Sequence, residues 1–182
     1  MRKILRVLAF AFVLALPLFA NAQKVEFDNL KVNVVMPENE NISDNLLSSL
    51  QDRLYEAVSL NALGSIDGAS RFVLLPIVNI VSKNATTSIP PQFVAEIEVA
   101  LYFADNQEKT ILSQTVITKK GMADTESKAL AKALKSVQAR DKKIKRLFDE
   151  GKVNLAKYFA THTDEAVIDT VGVKDVNWIL EN

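Results

Sequence analysis

The stretch covering residues 93–103 limits this chain's fold more than any other. It reads Phe-Val-Ala-Glu-Ile-Glu-Val-Ala-Leu-Tyr-Phe, with Phe93, Ala95, Ile97, Val99, Leu101 and Phe103 at every second position and Glu96 and Glu98 between them. Successive side chains on a strand point to opposite faces, so this spacing gathers six apolar groups on one side of a sheet. Such a face must be covered, and the rest of the chain is read as its cover.

Leu30, Val32, Val34 and Met36 alternate in the same way and stop at Pro37, which predicts a first strand. Leu46, Leu47, Leu50, Leu54 and Val58 then follow a helical stripe. Ser43 or Asp44 is a competent N-cap, Ile42 and Leu47 are spaced for a hydrophobic staple, and Gly64 falls where a C-cap belongs. After a turn at residues 65–70, residues 71–81 are apolar on both faces. Pro76 there predicts a bulge or an edge position. Residues 82–91 read as a polar loop. Asp105-Asn106-Gln107-Glu108 is turn chemistry leading into a returning strand over 110–118, which makes an antiparallel meander. Ala129, Leu130, Ala133, Leu134 and Val137 mark a narrow second helix behind Asp124 or Thr125 as cap. Ile144, Leu147, Phe148, Leu155 and Phe159 mark a further helical stretch behind Asp141, with Gly151 placed to break it. The tail holds an apolar-acidic segment over 164–171 and a last turn carrying Trp178. The expected fold is α+β: a two-layer sandwich of a mostly antiparallel four-stranded sheet with amphipathic helices on one face, in the order β-α-β-β-β-α-α. The first strand and residues 71–81 flank a helix and are candidates for a parallel βαβ pair.

Residues 1–22 stand apart. Arg2, Lys3 and Arg6 precede an apolar run over 7–19, and Ala20-Asn21-Ala22 offers small residues where a signal peptidase reads. The pattern is that of a cleaved signal peptide. The expected division is a signal peptide at 1–22, one domain at 23–160 and a tail at 161–182. No cysteine follows the apolar run, so no lipid anchor is expected there, and the expected location is periplasmic or secreted. Cleavage removes three basic residues and no acidic ones, which leaves 19 basic against 22 acidic side chains, a net charge of −3. That balance argues against nucleic acid as a partner. With no cysteine at all, the domain has neither disulfide nor thiolate chemistry and relies on its core.

No catalytic constellation stands out. His162 is the only histidine, too few for a triad or a histidine metal cluster, and reads as a surface or capping residue. Glu96 and Glu98 share a face, as paired carboxylates must for acid–base work. Tyr102 is the only aromatic in phase with them, and a solvated outer face is the plainer reading. Lys119-Lys120 and the run Lys142, Lys143, Lys145, Arg146 beside Asp141, Asp149 and Glu150 read as solvated faces with local ion pairs. Asn41-Ile42-Ser43 and Asn84-Ala85-Thr86 match the glycosylation sequon, which matters only in a glycosylating host. No enzyme, cofactor or metal site is expected.

The strand Phe72-Val73-Leu74-Leu75-Pro76-Ile77-Val78, the alternating strand with its Asp105-Asn106 turn, Gly121 and the alanine-rich run from Ser127 to Leu134 carry one resemblance. Residues 71–159 are similar to the small α/β domain of bacterial envelope proteins: the amino-terminal domain of TolB, the CsgG-type curli-secretion lipoproteins, and the lipoprotein activators of peptidoglycan synthases. The helix over 46–63 also fits. The lipidated cysteine of the lipoprotein members is missing here. The resemblance implies a non-catalytic interaction or assembly domain of the cell envelope and carries no functional residue across. The expected partner is another envelope protein, and the expected contact surfaces are the loop over 82–91 and the edge left by Pro76, since a free edge accepts another strand. The competing expectation is a small-ligand or glycan binder, and a hydrolase using Glu96 and Glu98 comes third.

Overall fold

In the computed structural model, which describes residues 30–65, 68, 70–161 and 176–180, the alternating stretch is β4 and is paired on both sides. The elements are β1 (Lys31–Val34), α1 (Asp44–Leu60), β2 (Gly64–Ser65), β3 (Phe72–Ala85), β4 (Phe93–Asp105), β5 (Thr110–Ala123), α2 (Glu126–Lys135), α3 (Lys142–Thr161) and α4 (Asn177–Leu180). The residues of the signal-peptide pattern, His162 and the segment over 164–171 lie outside the described residues.

The sheet order is β2-β1-β3-β4-β5. β3, β4 and β5 form the antiparallel meander, while β1 runs parallel to both β2 and β3, so the sheet is mixed. The four expected strands are present, and the fifth is the two-residue β2 at the edge. Three helices share one face. Leu47, Leu50, Leu54 and Val58 of α1, Ala129, Leu130, Ala133 and Leu134 of α2, and Ile144, Leu147, Phe148 and Leu155 of α3 join one core cluster with Ile97, Val99, Leu101 and Phe103. Each fully buried Leu, Ile or Phe there contributes about 1.5–3 kcal/mol of transfer free energy. The turn expected in the tail is α4, and it lies on the opposite side, where its Ile179 packs with Val73, Leu75 and Ala104.

Several local expectations shift for identifiable reasons. α1 ends at Asn61, and Ala62 takes the left-handed backbone with φ 53°; Gly64 instead enters β2 beside Lys31. Pro76 causes no bulge. Leu74 and Val78 turn their carbonyls to the β1 side, where the Val35 N–H (3.0 Å) and Asn39 Nδ2 (3.0 Å) take them. Pro76 sits between them in phase, so its missing N–H faces that edge and costs no bond to β4. The β3 bulge lies further on, between Ile80 and Ser82, and the extra residue in β5 is Leu112. The strands outrun their predicted ends, β3 to Ala85 and β5 to Ala123, so the loop between β3 and β4 shrinks to residues 86–92.

Gly151 does not break α3. A Cβ there would lie 2.3 Å from Cδ1 of Phe103, so the glycine lets the β4 ring reach the helix backbone. That ring meets Phe148 edge-on at 5.5 Å between centroids. Gly121 does the same for α2: a Cβ there would lie 2.1 Å from the Ala129 carbonyl oxygen and 2.4 Å from the Ala133 nitrogen. Thr125 caps α2 through Lys128 N–H, and Asp141 Oδ1 accepts from Lys143 N–H at the start of α3.

Candidate interaction surface

A sheet domain meets other proteins through its edges, its open face or its loops. The edges are guarded. Exposed strand edges invite pairing with other chains, and bulges, lysines and prolines discourage it. On β5, Asn154 Nδ2 donates to the Leu112 carbonyl and Lys143 Nζ to the Val116 carbonyl, both at 2.8 Å. On β3, Pro76, the Asn39 side chain, the bulge after Ile80 and exposed Lys83 follow one another. At the edge at Pro76, expected as a docking edge, the flanking Leu74 and Val78 carbonyls are already taken by the Val35 N–H and the Asn39 side chain.

The face away from α1, α2 and α3 divides in two. At the Asp105 end, Val73, Leu75 and Ala104 are buried beneath Ile179, with Val35, Ile77, Tyr102, Ile111, Val176 and Trp178 around them. Toward the other end, cross-strand rows run Asn79–Glu98–Thr118, Ser82–Glu96–Lys120 and Asn84–Val94–Met122. Glu96 and Glu98 do share this face. Glu96 Oε2 meets Lys120 Nζ at 3.2 Å, a cross-strand ion pair, and Glu98 is exposed. Tyr102, the aromatic in phase with them, is packed into the covered half. Among the described residues no group of three His, Asp or Glu side chains converges as metal ligands. Lys119 and Lys145 find local acidic partners. Lys119 Nζ donates to Asp141 Oδ2 at 2.9 Å, and Lys145 pairs with Asp149 at 2.6 Å. Partial burial works against the Asp141 charge. The hydrogen bonds from Lys119 and the Lys143 N–H outweigh it and hold the carboxyl below its usual range.

The two turns of the meander differ in kind. The turn after β4 is locked by polar groups that sequence reasoning passed over. Arg71 and Asp105 are each 3% exposed. Arg71 Nε donates to Asp105 Oδ2 at 2.9 Å, and Nη2 approaches the same oxygen at 2.8 Å as a charge, off the line of a directed bond. Asp105 Oδ1 accepts from the Gln107 and Glu108 N–H groups. The guanidinium also lies over the rings of Phe72 and Phe159, at 5.4 and 5.7 Å. Burial works against its charge, but the bond to Asp105 and that carboxylate's charge outweigh it, and the pKa is raised. The next residue, Asn106, is 1% exposed and accepts Trp178 Nε1 on its Oδ1 at 2.6 Å. Asp105 therefore closes the helix side and Asn106 fastens α4. The signal for this was an arginine opening an apolar strand with an Asp-Asn pair at a later turn.

The other turn, residues 86–92, is braced yet bare. Thr86 N–H donates to the Gln92 carbonyl (2.7 Å) and Gln92 N–H to Thr86 Oγ1 (3.0 Å). Thr86 Oγ1 and Ser88 Oγ lie 2.6 Å apart, and Ser88 Oγ donates to the Pro90 carbonyl (3.0 Å). On this frame Ile89 is 99% exposed.

Neither a family model nor a curated protein matches the sequence. Solved structures do. The chain is similar to a minor lipoprotein from Acinetobacter baumannii, at 10% identity and TM-score 0.39 over 73% of this chain and 94% of that one. It is also similar to the PelC dodecamer from Paraburkholderia phytofirmans, at 12% identity and TM-score 0.36 over 71% and 86%.

Proposed function

We propose that this chain is an exported, non-catalytic domain of the bacterial cell envelope that binds another envelope protein, with the tip at residues 86–92 and the open half of the outer face as its contact surface. The observation that carries the reading is Ile89, a fully exposed branched side chain held on a loop whose hydrogen bonds already fix it. A braced loop loses little entropy on binding, so one apolar anchor there counts for more than on a floppy segment. The signal-peptide pattern at residues 1–22 supports export, and no helix among the described residues is long and apolar enough to cross a membrane.

The test is site-specific photocrosslinking in envelope extracts, with the crosslinker at position 89 or 122 and a control at Glu150 on α3. The expected result is one partner band from 89 and 122, lost from 122 when Ile89→Ser is added, and none from 150. A crosslinking pattern identical at all three positions would sink the proposal.

A further inference from the structure

The covered half of the outer face carries an inference of its own. α4 is a single turn, too short to hold itself as a helix, so its position depends on what its side chains meet. Ile179 is buried against Val73, Leu75 and Ala104, and the Trp178 indole donates to Asn106. The apolar strip continues past α4: Ile77 and Ala100 are partly exposed and Val116 is 46% exposed in the next cross-strand row. The cover is thus smaller than the surface it lies on. Burying Val176, Trp178 and Ile179 is set against ordering residues 176–180, two terms of similar size, so such a cover opens far more readily than the domain unfolds.

We propose that α4 is a displaceable cover occupying in cis a docking patch, and that the patch takes in trans a protein segment bearing an indole next to a branched aliphatic side chain. α4 itself defines that chemistry: an N–H for Asn106 Oδ1 and an aliphatic group for the Val73–Leu75–Ala104 floor. A longer partner segment gains Ile77, Ala100 and Val116, which α4 leaves partly uncovered, and this is how it outcompetes the tethered cover. The inference deepens the interaction reading by naming what the outer face accepts.

Trp178 is the only tryptophan, so 5-fluorotryptophan labelling puts a single fluorine probe in the cover. The full chain is titrated with an unlabelled synthetic peptide of residues 176–182. The expected result is a shift of the fluorine resonance from its docked to its free position. Half-displacement should come near ~1 mM, the effective concentration of a tethered segment. In Ile179→Ala, which weakens the cover but not the peptide, at least about five-fold less peptide should suffice, because the buried aliphatic group is lost from the cover alone. Asn106→Ala removes the same hydrogen bond from cover and peptide and should leave the amount needed no lower. A peptide with alanine in place of its tryptophan should displace nothing. The proposal is overturned if the resonance stays fixed up to about 10 mM peptide in the wild type and in Ile179→Ala, ten times that effective concentration. It is also overturned if the resonance moves only as the dispersed amide spectrum collapses, because α4 is then part of the core. No envelope partner enters this measurement, so its failure leaves the crosslinking test at Ile89 standing, and the converse also holds.

Discussion

The two turns of the meander are built from similar numbers of polar residues and put them to opposite uses. At the turn after β4 the first two side chains point inward. Asp105 takes a buried guanidinium and two backbone N–H groups, and Asn106 takes an indole. At the turn before β4 the hydroxyls of Thr86 and Ser88 bond within the loop itself and leave Ile89 in solvent. One turn spends its polar groups on the domain and the other on its own shape. The difference separates a turn that holds the fold from one free to face a partner.

Mutations should break that contrast in graded fashion. The largest effect belongs to Asp105→Ala, which strands the Arg71 charge in the core and should cost about 3–5 kcal/mol. Replacing Arg71 and Asp105 together with Met and Leu should recover most of the loss, read as the urea midpoint at constant slope. If the single change costs under ~1 kcal/mol, the locked turn is not what holds that end. Next comes Gly151→Ala, which drives a methyl into the Phe103 ring and should cost about 1–3 kcal/mol. Phe103→Leu in the same chain should soften the loss, a coupling that a double-mutant cycle detects.

Away from both turns, Asp141 gives a smaller, pH-dependent effect. Its carboxyl titrates lower when folded than unfolded, so its contribution is present above the ordinary carboxylate value of about 4 and fades as pH falls through and below it. For a partly exposed pair this is worth about 1 kcal/mol or less. Stability curves of wild type and Lys119→Met should differ at pH 7 and converge toward pH 3; parallel curves would contradict the pairing. The smallest effect is expected at the bare turn. Ile89→Ser should leave stability within about 0.5 kcal/mol while removing the crosslink from position 122. A large stability loss there would erase the contrast between the turns.

What the sequence showed and what it hid follow the range of the forces involved. The alternation of β4, the stripe of α1 and the Thr125 and Asp141 caps depend on residues a few positions apart, and each was legible. The role of Gly151 depends on Phe103, far away in the chain, so a helix glycine read as a break. The missing donor of Pro76 is harmless only because β1 and Asn39 lie on that side, which no local pattern reports. β5 runs on through Lys119 and Lys120 because Lys120 lies on the wet face beside Glu96 while Lys119, on the helix face, reaches Asp141, and the charge pair read as a strand end. The surface was less legible than the fold. Glu96 and Glu98 were correctly placed on one face, but Arg71, Asp105 and Trp178 take their meaning from partners the sequence does not pair.

The parallel seating of β1 has a consequence for how the chain is made. The hairpins of the meander close over short turns, but Val32 must wait for Phe72 and Val34 for Leu74. A polypeptide emerging amino end first therefore presents Leu30, Val32, Val34 and the leucine stripe of α1 before the strand that receives them exists. Contacts that distant form late. The first part of the domain stays adhesive longest, and a holding chaperone would find its grip there.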